Sequence, residues 1–300
     1  MPESAVPESA VPELAVPERG AAEGPVLVLG GTGTTGSRVA EQLRGRGVPV
    51  RVASRHPRAD GQVRFDWSER ATHAAALAGV RRVYLVAPVG EADPVPLVEP
   101  FLAAALAGGV RRVVLLSSSA VPEGAPVLGQ LHRLVHTTMP EWTVLRPSWF
   151  MQNFVSDHPL AAGIRDAGEI VTATGAGRLP FVDAGDIAAV AVAALLDEPV
   201  HNTELLVTGP AALSYADAAA VITEATGRPV HHHNVGVAEL AARHTAAGYP
   251  PDFAAILAAL DDDIRRGTQE LVSPTVARLT GRPPRSFQDF VATHFSRSER

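Results

Sequence analysis

Val26-Leu27-Val28-Leu29-Gly30-Gly31-Thr32-Gly33-Thr34-Thr35-Gly36 is the stretch on which the reading of this chain turns. Four consecutive apolar residues suit a strand buried on both faces. The glycines satisfy G-x-G-x-x-G from Gly31 and G-x-x-G-x-x-G from Gly30. Glycine serves there for a tight turn and for close approach of backbone to a pyrophosphate. A helix is expected over residues 34–46, and its N-terminus would favour the same anion. A glycine-rich turn without a ligand is the plain alternative. The strand before the loop and the helix after it favour the nucleotide reading.

Outward from that stretch, strands are expected at 50–53, 63–65, 82–87, 113–116 and 142–145, with helices at 96–107 and 127–138. The alternation predicts an α/β fold, a doubly wound parallel sheet of the Rossmann kind over residues 25–155. Strand C-termini, and any ligand, then share one edge. Beyond residue 155 the rhythm loosens. Helices are expected at 186–196, 214–226, 237–247 and 253–265, and a strand at 204–207. Residues 156–300 are read as a mixed region that adds a sheet edge and a smaller, mainly helical substrate cap. Within residues 1–24 the unit Ala-Val-Pro-Glu recurs at 5–8, 10–13 and 15–18. A proline every five residues blocks helix and ladder, so a disordered tail is expected, with a partner-binding arm as the alternative.

Composition sets outer limits. The chain has 300 residues, 46% apolar and 19% charged, which suffices for a large core. A formal charge of -6 argues against a nucleic-acid partner. There is no cysteine, hence no disulfide and no thiolate chemistry. No apolar run suggests a membrane span or a signal peptide, so the expected compartment is the cytoplasm. All 26 basic residues are arginine; with heavy Ala, Val, Pro and Gly usage this suggests a GC-rich, actinobacterial genome.

The choice between NAD and NADP falls after the second strand. An acid there would bind the ribose 2′-hydroxyl. Here the strand runs into Ser54-Arg55-His56. Arg55 can form charge-assisted hydrogen bonds to a 2′-phosphate, and Ser54 can add one, which favours NADPH/NADP. A solvated surface arginine is the alternative. Asp66, after the third strand, reads as an adenine contact or as a helix cap.

The segment Leu145-Arg146-Pro147-Ser148-Trp149-Phe150-Met151-Gln152-Asn153-Phe154 resembles the "LRP-x-W/F-F-M-x-N" stretch of NmrA-like atypical short-chain dehydrogenase/reductases. That group includes quinone reductases and ergot-alkaloid iminium reductases. Pro180-Phe181-Val182-Asp183 with Asp186-Ile187-Ala188, and Leu279-Thr280-Gly281-Arg282-Pro283-Pro284, are similar to two further segments of the group. The likeness runs from about Val26 to Phe295. It implies that Gly30, Thr32, Gly33, Thr34, Thr35 and Gly36 hold the pyrophosphate, and that Ala87, Pro88 and Pro147 also line the cofactor. The larger superfamily uses a Tyr-x-x-x-Lys pair; a chain without lysine cannot carry it. Some members resembling this chain place histidine at the position of His132.

Ser117 and Ser118 follow the strand that ends beneath the nicotinamide in this fold. Either hydroxyl can hydrogen-bond a substrate carbonyl, or merely cap backbone. His132 can donate the proton, or sit as a satisfied helix-face histidine. Trp149, Phe150, Met151 and Phe154 read as an apolar substrate wall as readily as core, and Tyr249 can reach a ligand from the cap. Tyr84 reads as core and Tyr215 as the start of a surface helix. His231-His232-His233 on an extended segment would alternate sides, so no metal site is expected. Asp261-Asp262-Asp263 reads as a solvated face. The expected function is NADPH-dependent reduction of a carbonyl on a bulky aromatic molecule, such as an angucyclinone-type polyketide in antibiotic biosynthesis. Quinone or iminium reduction, and a non-catalytic NADP(H) redox sensor, are the alternatives.

Overall fold

The computed structural model describes residues 24–295, so the Ala-Val-Pro-Glu repeat lies outside the described residues. In chain order the strands are β1 (Val26–Val28), β2 (Val50–Ser54), β3 (Gln62–Arg64), β4 (Arg82–Val86), β5 (Arg112–Leu116), β6 (Glu141–Pro147), β7 (Glu169–Thr172), β8 (Arg178–Leu179), β9 (Thr203–Val207), β10 (Leu213–Ser214) and β11 (His231–Asn234). The helices of the first half are α1 (Gly36–Gly45), α2 (His73–Leu77), α3 (Val95–Ala107) and α4 (Leu128–Thr138). Those of the second are α5 (Pro159–Ala167), α6 (Ala184–Leu196), α7 (Tyr215–Thr226), α8 (Val237–Ala246), α9 (Pro251–Arg265), α10 (Thr275–Thr280) and α11 (Phe287–His294).

Seven strands form one parallel sheet in the order β3-β2-β1-β4-β5-β6-β9. The order reverses between β1 and β4, which is where such sheets bind ligands at their carboxyl edge. Successive side chains alternate faces. Val28, Val52, Tyr84, Val114 and Leu145 therefore pack on one side, with Val39 and Leu43 of α1, Ile187 and Val190 of α6 and Val276 of α10. Leu27, Val83, Leu85, Val113 and Leu115 pack on the other, with Leu77 of α2, Phe101 and Leu102 of α3 and Leu131 and Val135 of α4. Helix α6 is buried over almost its whole length, and its run of alanine and valine lets it lie close against the sheet.

Past residue 155 the chain is mainly helical, as expected, with two short strand pairs beside the helices. Strand β11 pairs parallel with β7, and β10 pairs antiparallel with β8. No described helix is long and apolar enough to cross a membrane. His232 points opposite to His231 and His233, as extended backbone requires, and bonds Thr172 Oγ1 at 2.7 Å.

Two expectations here are corrected. Tyr215 does open a helix, but that helix is not a surface one at this end. Its ring is buried between Phe154, Phe181 and His232. Asp261 is not on a solvated face. Helix α9 turns it toward β7, where a carboxylate oxygen accepts from Ala173 N at 2.8 Å. Asp262 keeps the surface role, paired with Arg265 and Arg266.

Burial pushes the Asp261 carboxyl up to about 6. The folded state thus prefers the protonated acid. That preference is fully present below the ordinary value near pH 4 and is lost as pH rises through about 6. The shift corresponds to up to about 3 kcal/mol. Asp261→Asn keeps the acceptor for Ala173 N without the charge. It is expected to melt roughly 5 °C above the unsubstituted protein at pH 8 and level with it at pH 4. Calorimetry at both pH values checks this; an equal shift at each would show that the charge is not the cause.

Candidate active site

The glycine loop leaves β1 and enters α1 along the carboxyl edge. Gly30 has φ +61°, a conformation open to glycine at little cost. Gly33 N donates to Gly30 O at 2.9 Å, closing the turn. A Cβ on Gly36 would stand 2.3 Å from Gly30 O, so this glycine lets the helix start touch the loop. A Cβ on Gly31 would stand 2.6 Å from Val52 Cγ1. Thr32, Gly33 and Thr34 are exposed. Thr35, at the N-cap position, gives α1 no side-chain cap. Its Oγ1 instead accepts from the buried Tyr84 hydroxyl at 3.0 Å. An uncapped helix start behind an exposed glycine loop is the donor set that a dinucleotide pyrophosphate needs. The residues fit the cofactor.

Ser54 ends β2, and Arg55 beyond it is exposed, with no hydrogen bond or ion pair to a described residue. Ser54 Oγ accepts from His56 N at 3.2 Å. Asp66 follows β3, the neighbour of β2. Its carboxylate accepts from Ser68 N at 2.9 Å and Ser68 Oγ at 2.6 Å. Those bonds hold it below the usual carboxylate range, and the charges of Arg55 and Arg64 add to the effect. The local turn therefore already uses Asp66 Oδ1, but it caps no helix: Glu69 holds the N-cap position of the 3-10 turn Arg70–Thr72.

Ala87 and Pro88 follow β4 and are half-buried. Ser117 follows β5, its N–H donating to Leu145 O at 2.8 Å. Its Oγ is buried and has no hydrogen-bond partner among the described residues. An unpaired buried hydroxyl costs stability, so it calls for a functional or structural reason. Ser118 Oγ accepts from Ala120 N at 3.3 Å. Pro147 ends β6 and is buried. Ser148, next in the chain, has a second buried and unpartnered Oγ. It lies inside the family-like segment, where a serine carries no motif signal of its own.

Arg146 clamps the serine loop from the adjacent strand. Its guanidinium donates to Ser119 O at 2.9 Å, Ser118 O at 3.4 Å and Glu204 Oε1 at 2.8 Å. His132 lies lower. Its ring packs 6.1 Å from Trp142, the second residue of β6, and Nδ1 stands 3.9 Å from Glu204 Oε2. Glu204 pairs in register with Val144, three residues below the end of β6. Burial lowers the His132 pKa, against the charges of Glu123 and Glu204. The imidazole packs against the flank of the sheet, but its Nδ1 is buried with no hydrogen-bond partner among the described residues, so it is not the satisfied helix-face histidine given as the alternative. The phase of α4 decides this.

The expected wall divides. Trp149 and Phe150 are half-buried where the chain leaves β6. Met151 and Phe154 are not wall: a 3-10 turn over Met151–Phe154 rotates them into a cluster with Phe181, Tyr215 and Phe287. Gln152 anchors that turn, donating to Asp183 Oδ2 at 3.1 Å and accepting from Ala184 N at 2.9 Å. Asp186 in turn accepts from Arg285 N at 2.7 Å and pairs with Arg282 at 2.7 Å. The three family-like segments therefore meet in one joint beneath the wall. Tyr249 is half-buried in the cap, 5.8 Å from His244 and 5.9 Å from Phe253. A hollow of about 410 Å³ between α2 and α3, lined by Arg70, His73, Leu77 and Pro100, includes none of these residues.

A family model described as NAD(P)H-binding matches residues 30–199. The chain is 48% identical over 276 residues to the uncharacterized oxidoreductase YesF of Bacillus subtilis (strain 168), spanning 91% of this chain and 96% of that one. It is 38% identical over 284 residues to festuclavine synthase II of Penicillium roqueforti (strain FM164), spanning 90% and 97%. Among solved structures, the NADPH-dependent quinone oxidoreductase QOR2 of Escherichia coli complexed with NADPH matches with a TM-score of 0.77. Identity there is 24%, over 90% of this chain and 99% of that one, a likeness of fold.

Proposed function

This chain belongs to the NAD(P)H-binding, NmrA-like family of oxidoreductases, and we propose that it is an NADPH-dependent reductase acting on a carbonyl of a bulky aromatic substrate at the ends of β5 and β6. When bound, the dinucleotide supplies a hydride. The chain's own part is to orient and to stabilise charge. The loop Gly30 to Gly36 holds the pyrophosphate, and Arg55 with Ser54 reads the 2′-phosphate. Ala87, Pro88 and Pro147 border the nicotinamide ribose. Trp149 and Phe150 present apolar surface to the ring system. An aromatic polyketide ketone of the angucyclinone type, in an antibiotic pathway, suits that surface.

The observation that carries this reading is the Ser117 hydroxyl, buried and unpartnered at the carboxyl edge. A carbonyl oxygen that gains charge during reduction accepts its strongest hydrogen bond in the transition state. The proton that completes the alcohol comes from water or from a phenol of the substrate. Of the three tyrosines, Tyr84 and Tyr215 are buried and burial raises both phenols, so neither serves as acid.

Ser117→Ala is expected to lower kcat on ketones about 100-fold with the NADPH Kd unchanged. Steady-state oxidation of NADPH with polycyclic ketones, quinones and iminium ions tests it. Iminium reduction is the second reading, favoured by the sideways placement of His132. Hydride addition to a C=N⁺ carbon yields a neutral amine and needs no acid. Under that reading Ser117→Ala changes kcat by less than about threefold on iminium ions. Tight NADPH binding with no turnover on any class would instead point to a redox sensor.

A further inference from the structure

We infer that residues 269–273, between α9 and α10, form a strap across the carboxyl edge that selects bulky apolar substrates, with Leu271 and Val272 as its contact residues. The inference rests on the reductase reading above. Its first pin is at Gln269, whose Oε1 accepts from Ser119 Oγ at 3.2 Å. Ser119 belongs to the serine loop past β5. The second pin is at Ser273, whose N–H donates to Thr208 Oγ1 at 2.9 Å. Thr208 follows β9 and is fully buried, so this end is fixed in the core.

Strand β6 lies between β5 and β9. Adjacent strands stand about 4.8 Å apart, so the two pins flank the end of β6 at roughly 10 Å. Four residue steps of extended chain reach roughly 13 Å. The segment therefore has little slack and crosses close over the end of β6, where Ser148 and Trp149 emerge. Glu270 is drawn to Arg178 at 3.9 Å.

The two residues left in the span are apolar and open to solvent. Leu271 is 69% exposed and Val272 42%. Single exposed leucines need no explanation. Here the two are adjacent on a strap pinned to the serine loop, and its crossing over the end of β6 would set them toward the half-buried Trp149 and Phe150 that leave that strand, extending the apolar surface. A compact substrate would be handled below the strap, whereas a polycyclic one would meet it. The strap also couples the cap to the serine loop through Ser119.

The test is a Leu271→Ser, Val272→Ser double variant, which changes only exposed side chains. With NADPH saturating, KM for 9,10-phenanthrenequinone is expected to rise about tenfold while kcat stays within about twofold. KM for 1,4-benzoquinone is expected to stay unchanged. Equal KM values for both proteins on phenanthrenequinone would overturn the strap and leave the reductase intact. Binding of anthraquinone-2-sulfonate to the NADP-loaded protein, followed by tryptophan quenching, gives a readout independent of turnover. About tenfold weaker binding by the variant supports the strap. Unchanged affinity, or no saturable binding to either protein, overturns it. Absence of turnover on every substrate class, with weakened dye binding in the variant, would fail the reductase reading alone.

Discussion

Gly33→Ala is expected to weaken NADPH binding at least about 100-fold while leaving stability unchanged, and Gly36→Ala is expected to destabilise the fold strongly. The two glycines share one motif but meet different surroundings. A Cβ on Gly33 would stand 3.3 Å from Gly30 O and meet nothing nearer. The backbone has no positive φ there, so alanine is accommodated with a small adjustment. What the methyl would occupy is the exposed surface on which a pyrophosphate must rest. A Cβ on Gly36 would lie 2.3 Å from Gly30 O, 2.7 Å from Gly30 C and 2.9 Å from Gly31 Cα. All three are backbone atoms of the same loop, so none can swing away. The start of α1 must retreat from β1, at a cost of about 3 kcal/mol or more. Calorimetry without ligand and fluorescence titration with NADPH separate the cases. A Gly33→Ala protein that binds NADPH normally would mean the loop is a turn without a ligand. A Gly36→Ala protein with unchanged melting would contradict the packing described here.

Arg55→Glu is expected to invert the cofactor preference, moving the NADPH/NADH ratio of kcat/KM by about 1000-fold. A charge-assisted hydrogen bond to a phosphate is worth about 1.5–3 kcal/mol, and a carboxylate in its place adds repulsion of the same sign. The new acid can also accept from a 2′-hydroxyl, so NADH gains what NADPH loses. Arg55 is free to do this because it is exposed at the end of β2, whereas Arg64 nearby is held by Glu69 at 2.8 Å. An unchanged ratio would show that Arg55 is only a solvated surface residue.

Much of this was legible before any coordinates. Runs such as Val113-Val114-Leu115-Leu116 have no polar face to offer solvent, so they can only be central strands of a covered sheet. The glycine spacing located the nucleotide loop, and the absence of lysine removed the usual catalytic pair. These conclusions depend on residues close in sequence, where backbone geometry and side-chain size act directly.

The remainder depended on which neighbours arrive from far along the chain. Asp261 and Asp262 are adjacent in sequence, yet one faces β7 and the other faces solvent. The phase of α9 against β7 decides between them, and nothing in the triplet of aspartates reveals it. Met151 and Phe154 have the composition of a substrate wall, but Phe181 and Phe287 arrive from other segments and enclose them. Ser117 and Gln269 are ordinary polar residues until β6 and β9 set the distances between them. The sequence alone determined the sheet, the cofactor loop and the chemistry that is missing. Only the tertiary structure decided which polar groups are buried without a partner and which segment crosses the site, because burial is a property of the whole packed chain and not of any stretch within it.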